Sequence, residues 1–219
     1  MKKLCIIVPY RDRKDHLDKF LPAIEKHLNE QNIDWNIVIV EQTFKKPFNR
    51  AKLLNVGYAY TKGYYDYYCM HDVDMLPVKG ETDYSYCSQP THLASRASQF
   101  GYNLPYEGYF GGVTIFDKES FEKINGYANE YWGWGAEDDD VLRRCITMKV
   151  NPSRKICKFE SLEHDRILVQ EEYQNNLDKL GKNGEFDGNK FTEGLSNLEW
   201  ELLEEDMIYN NTSLIKVEI

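Results

Sequence analysis

The stretch Tyr131-Trp132-Gly133-Trp134-Gly135-Ala136-Glu137-Asp138-Asp139-Asp140 sets four adjacent carboxylates directly behind two tryptophans spaced by glycine. A flat indole is a platform for a sugar ring or a base, and glycine lets backbone come close to a ligand. Adjacent carboxylates repel one another, so a fold keeps them where they bind something, serve a helix start or lie in water. A second acidic pair, Asp72-Val73-Asp74, follows an aromatic and apolar run and precedes Leu76-Pro77. Such oxygens suit a hard divalent cation shared with substrate phosphates, provided a turn aims both side chains one way. Arg11, Arg13 and Arg50 carry forks that match the oxygens of a diphosphate, although a single arginine more often ends in a surface ion pair. His164, set between Glu163 and Asp165, is a metal candidate only if a divalent cation bound at Asp74 lacks protein ligands, because a lone histidine is usually structural.

Strands and helices must deliver these groups to one place. Leu4 to Val8 predicts a buried first strand ending at Pro9-Tyr10-Arg11-Asp12-Arg13. A helix from about Lys14 to Asn29 carries Leu17, Phe20, Leu21, Ile24 and Leu28 on one stripe. Ile37 to Val40 is a second buried strand, and after a loop Asn49 caps a helix running to about Lys62. Tyr64 to Met70 is a third strand, ending at the Asp72-Val73-Asp74 pair. This alternation predicts an α/β fold with a mainly parallel sheet flanked by helices, in which ligands bind at the carboxyl ends of the strands. Val78 to Tyr106 reads as irregular, Tyr109 to Phe116 as a strand with two glycines, and Asp117 as the cap of a helix from Lys118 to Ile124. The four acids fall in the first turn of the next helix, whose apolar positions 141, 142, 145 and 146 have helical spacing. On this reading Asp140 serves only the helix dipole. Ile156 to Phe159 is a further strand, Arg166 to Leu180 is mostly helical and Gly181 to Gly188 is a flexible turn. Leu198 to Leu203 pairs with Met207 to Ile219 as a closing hairpin.

Composition narrows the class. A chain of 219 residues with 42% hydrophobic and 29% charged residues suits one well-buried domain. A net charge of −9 speaks against a nucleic-acid partner, which needs a basic footprint, and no apolar run is long enough for a membrane span. Cys5, Cys69, Cys87, Cys145 and Cys157 have neither zinc-like nor redox-like spacing and read as free thiols in a reducing compartment. The short apolar run before Pro9 is a strand rather than a secretion signal, so the expected location is cytoplasmic.

Five segments taken in order resemble the β-1,4-galactosyltransferase family over residues 4 to 166. They are Pro9 to Arg13, Phe48-Asn49-Arg50-Ala51-Lys52-Leu53-Leu54-Asn55-Val56-Gly57, His71 to Pro77, Tyr109-Phe110-Gly111-Gly112, and Asn125 to Asp140. Met70 to Pro77 and His92-Leu93-Ala94-Ser95 look closest to the branch that adds galactose to xylose. The resemblance implies a single GT-A nucleotide-sugar transferase domain over residues 1–219. Residues 1–80 would bind the nucleotide sugar, 81–166 the acceptor and catalytic groups, and 167–219 would form a helix and hairpin extension. It implies an inverting enzyme using Mn²⁺ or Mg²⁺ and UDP-galactose, with a glycan acceptor as the other substrate. Donor contacts would come from Pro9, Tyr10, Arg11, Arg13, Arg50, Asp72, Val73, Tyr109 and Gly112, and metal ligands from Asp74 and His164. Trp134, Glu137 and Asp139 would bind substrate, and Asp138 would be the general base. Tyr109 matches the position where galactose users carry Tyr and N-acetylgalactosamine users a smaller aliphatic residue. Where the family supplies a further metal ligand two or three residues before the histidine, this chain has Leu162 and Ser161. Animal members carry a membrane anchor and stem, so a bacterial or viral type is expected. The alternatives are the same fold using UDP-N-acetylgalactosamine or UDP-glucose, and a non-catalytic sugar-binding module.

Overall fold

A computed structural model describes residues 2–164, 169–180 and 186–219. Strand β1 (Lys3–Tyr10) is buried from Leu4 onward, and its branched side chains supply both faces of a central strand. Helix α1 (Lys14–Glu30) lays Leu17, Phe20, Leu21, Ile24 and Leu28 against one face, as their spacing requires. After β2 (Asp34–Gln42), helix α2 (Arg50–Thr61) covers the opposite face with Ala51, Leu53, Leu54 and Val56. Its start is set by Asn49, whose carboxamide oxygen accepts from the Lys52 backbone N–H at 2.8 Å. Gly57 is required inside α2, because a Cβ there would collide with Ile7 of β1.

Strand β3 (Tyr67–His71) starts three residues later than its apolar run predicts, since Tyr64 is 74% exposed in the preceding turn. It is followed by β4 (Met75–Pro77), β5 (Thr91–His92) and β6 (Arg96–Ala97), and a single turn of 3₁₀ helix at Ser98–Phe100. The segment expected to be irregular therefore holds short strands. Strand β7 (Val113–Asp117) begins only after the two glycines, not at Tyr109. Helices α3 (Lys118–Lys123) and α4 (Glu137–Thr147) come next. Asp117 caps α3 through the Ser120 N–H, and the four acids occupy the first turn of α4. The chain continues through β8 (Ser153–Arg154), β9 (Lys158–Ser161), α5 (Gln170–Lys179), β10 (Glu201–Tyr209) and β11 (Thr212–Glu218). The expected start of α5 near Arg166 and most of the Gly181–Gly188 turn lie outside the described residues.

The main sheet has the order β10-β11-β2-β1-β3-β7-β5-β8. Its core is parallel: β1 pairs with β2 and β3, and β11 with β2, all in parallel register. Strand β7 is antiparallel to β3, and β4, β9 and β6 form a small second sheet. The closing hairpin turns at Asn210-Asn211 rather than after Leu203, and it becomes an edge of the main sheet, with Ile215 and Val217 fully buried. All five cysteines are free, and four of them are buried. Among the described residues no helix is long and apolar enough to cross a membrane.

Candidate active site

The carboxyl ends of β1 and β3 and the start of α4 meet at one edge of the sheet, and Arg50 stands at their centre. As the first residue of α2 it is held by the Asn49 cap and is largely buried. Its Nε donates to Asp72 Oδ1 at 2.6 Å and a terminal nitrogen donates to Asp138 Oδ1 at 2.8 Å, with Glu137 Oε1 at 3.7 Å. Burial disfavours its charge, but Asp138, Asp72 and Glu137 outweigh that and raise its pKa well above normal. The three arginines expected to share a diphosphate thus have different neighbours. Arg11 donates to the Lys46 carbonyl at 2.8 Å and lies against the rings of Phe44 and Phe48. Arg13 hydrogen-bonds His164 Nδ1 at 3.1 Å.

The Asp72-Val73-Asp74 turn is closed by the Met75 N–H on the Asp72 carbonyl, and Asp72 N–H is held by the Gly112 carbonyl. It does not aim both carboxylates at one point. Asp72 faces Arg50, while Asp74 Oδ2 lies 3.0 Å from His164 Nε2. Val73 between them is a core side chain, 5% exposed, so only its backbone is available to a ligand. Burial, only partly offset by Arg50, raises the Asp72 pKa to about 6. Burial also opposes ionisation of Asp74, but the His164 hydrogen bond and the Arg13 charge prevail and hold its carboxyl below the usual range. Asp74 and His164 therefore offer one carboxylate oxygen and one imidazole nitrogen, a donor pair that suits Mn²⁺ if phosphate and water complete the shell. Among the described residues no third His, Cys, Asp or Glu joins them, and Ser161 turns its hydroxyl to Met75 Sδ. His16 packs edge-on beside His164, with ring centroids 6.1 Å apart.

The acids of α4 divide between solvent, site and core. Glu137 is largely buried, and burial together with Asp138 raises its pKa to about 8 despite Arg50. Asp138 lies against Gly111, where a Cβ would collide with its Oδ2. Asp139 accepts from Tyr106 Oη at 2.8 Å, a contact that nothing in the spacing of Tyr106 announces. Asp140 corrects the dipole-only reading. It is fully buried and pairs with Arg144 Nε at 2.8 Å and Arg143 at 2.6 Å. Trp134 is 50% exposed, and its ring packs 5.4 Å from Tyr173 of α5. Gly133 and Gly135, at φ of 75° and 102°, allow that loop its shape. Tyr109 is half-buried against Tyr106, Phe100 and His92. Pro9 and Tyr10 close the end of β1, and Gly112 adopts φ 79°, which favours glycine.

Two family models match this chain in sequence order. Residues 1–88 fit the N-terminal region of glycosyl transferase group 7, and residues 91–165 fit a model described as the N-terminal domain of galactosyltransferase. The chain belongs to the β-1,4-galactosyltransferase family. It is 37% identical to β-1,4-galactosyltransferase 1 of Bos taurus over 207 residues, which cover 92% of this chain and 51% of the bovine protein. It is 37% identical to β-1,4-galactosyltransferase 4 of Cricetulus griseus over 221 residues, covering 98% of this chain and 63% of the hamster protein. The chain thus spans between half and two thirds of the length of these relatives. The catalytic domain of Drosophila β-1,4-galactosyltransferase 7, solved with xylobiose, superposes with a TM-score of 0.83 at 26% identity, covering 100% of this chain and 94% of that one. The fold is that of the GT-A glycosyltransferases, as the alternation of strands and helices and the resemblance had implied.

Proposed function

We propose that this chain is an inverting, metal-dependent hexosyltransferase that moves galactose from UDP-galactose to a sugar hydroxyl, making a β linkage. The observation that carries this is the bridge from Asp72 through Arg50 to Asp138. One buried guanidinium joins the acid of the donor-side turn to an acid of α4, so a donor sugar at Asp72 would lie beside a base at Asp138. A mutant of the Drosophila relative was solved with manganese, UDP-Gal and xylobiose, which supports the same donor, metal and class of acceptor here. Asp74 and His164 would hold Mn²⁺, which when bound supplies Lewis-acid stabilisation of the departing diphosphate. Arg11 and Arg13, with Pro9, Tyr10 and the backbone of Val73 and Gly112, would seat uridine and diphosphate. Glu137 and Asp139 would hold sugar hydroxyls beside Trp134. Asp138 would take the acceptor hydroxyl proton while that oxygen attacks the anomeric carbon opposite UDP, so an α donor gives a β product. Residues 1–80 form the donor half on this reading, 81–166 the acceptor and catalytic half, and 167–219 the extension. The five free thiols support a reducing, cytoplasmic setting.

Tyr109 supports galactose over N-acetylgalactosamine, because its ring packs against Gly111 on the same side as the Asp138 carboxylate and restricts bulk there. Asp138→Asn should lower transfer by about 10²- to 10⁴-fold, the usual range for a general base, while UDP binding is retained. Transfer at the wild-type rate by that variant would remove Asp138 from its role. UDP binding without UDP release from any donor, with xylosides, glucosides and N-acetylglucosaminides as acceptors, would favour a sugar-binding module instead.

A further inference from the structure

We propose that Arg154 is a positioning residue that sets donor selectivity by holding the backbone beneath Tyr109. Arg154 lies on β8 at the far edge of the main sheet, away from the acids and the metal ligands. One terminal nitrogen donates to the carbonyls of Glu107 at 3.0 Å and Tyr109 at 2.9 Å. Its Nε donates to His92 Nδ1 at 3.2 Å. That bond makes Nδ1 the acceptor of the imidazole, so the proton sits on Nε2, which donates to the Gly111 carbonyl at 2.9 Å. Burial holds His92 neutral, consistent with that tautomer. One guanidinium and one imidazole together engage the carbonyls of residues 107, 109 and 111. The segment they hold belongs to no strand, since β7 begins at Val113, and it would otherwise depend on few backbone partners.

The consequence reaches the site through Gly111. The Asp138 carboxylate and the Tyr109 ring both crowd the one position that a Cβ at Gly111 would occupy. The His92 ring also meets the Tyr109 ring edge-on, with centroids 5.4 Å apart. A shift of this segment moves Tyr109 relative to Asp138, and so changes the room beside the donor sugar. This inference rests on the reading of Tyr109 as the residue that restricts the donor.

The test compares Arg154→Met, Arg154→Lys and Tyr109→Leu, each assayed with UDP-galactose and UDP-N-acetylgalactosamine. Arg154 is exposed, so Arg154→Met should fold normally, as thermal melting will show. Losing hydrogen bonds from a charged donor should raise the ratio of kcat/KM for the N-acetylated donor over galactose by about tenfold. Arg154→Lys should show most of that change, because a single ammonium cannot replace the fork. The ratio is measured on one enzyme preparation, so a loss of folded protein cancels from it. An unchanged ratio in Arg154→Met alongside a raised ratio in Tyr109→Leu would overturn the proposal and leave the Tyr109 reading standing. An unchanged ratio in Tyr109→Leu would overturn that reading and this proposal with it.

Discussion

Arg50 is the residue whose placement says most about the site. A guanidinium buried with three acids keeps those acids close without leaving their charges uncompensated. Glu137 is the one whose pKa is raised most, to about 8. A carboxyl with a raised pKa binds more protons folded than unfolded, so its contribution to stability is present at low pH. That contribution is lost as pH climbs from its unfolded value toward 8. Glu137→Gln cannot ionise and should therefore gain melting temperature relative to wild type as pH is raised from about 5 to about 8. Parallel pH profiles for the two proteins would show that Glu137 is ionised throughout. At this scale the sequence singled out Asp72, Asp74, Asp138 and His164 as groups with chemistry to do, and the structure brings them to one sheet edge. It misplaced Asp140, because an acid in a helix's first turn looks the same whether it faces water or a buried arginine. It was silent on Arg154, whose three acceptors come from residues far away in the chain.

Elements position these residues through their ends. Helix α2 presents Arg50 because Asn49 caps it and is itself anchored, its Nδ2 donating to the Asn129 carbonyl at 2.7 Å. Asn55 extends the link, donating to the Tyr127 carbonyl at 2.7 Å and accepting from the Tyr127 N–H at 2.9 Å. The approach to the tryptophan loop is thereby fastened to the helix that carries Arg50. Asn49→Ala should cost about 1–2 kcal/mol in chemical denaturation, the upper range for a cap, because a buried carbonyl loses its donor as well. A change below a few tenths of that amount would mean that solvent replaces the side chain. The strand and helix alternation was legible because Leu4 to Val8 and Ile37 to Val40 are continuous apolar runs, the stripe of the first helix keeps a helical period, and Pro9, Asn49 and Gly63 mark boundaries. Strand β7 was misjudged at its start, since β-type residues at Tyr109 and Phe110 precede glycines that break the ladder.

Across the whole molecule, the C-terminal segment is fastened to α4 by buried charge. Arg144 donates to Asp140 Oδ2 at 2.8 Å and to the Glu193 carbonyl at 2.8 Å, and its guanidinium lies 4.6 Å from the Phe191 ring. Glu193 in turn accepts from the Asn129 N–H, closing a loop back to the tryptophan segment. Arg144→Met should destabilise the fold by about 3–5 kcal/mol in urea titration, because Asp140 is left buried with less compensation. Adding Asp140→Leu should recover a large part of that loss, whereas additive losses would show that the pair is not the coupled unit. The hairpin works at the same scale. It covers the edge of β2 with β11, so the sheet presents there a nine-residue outer strand, β10, rich in acidic side chains.

By itself the sequence determined the order of the longer strands and helices, the faces they bury and the residue types that stand as candidates for chemistry at the sheet edge. Those properties depend on local spacing, hydrophobic period and side-chain chemistry, all of which are written along the chain. Only the tertiary structure decided that Asp72 and Asp74 part toward different partners, that Asp140 is a core residue, and that Arg50 joins two acidic motifs. Each of these depends on which distant group fills the space beside a carboxylate. That choice is made when the sheet edge, α2 and α4 pack together, and no spacing within any one of them contains it.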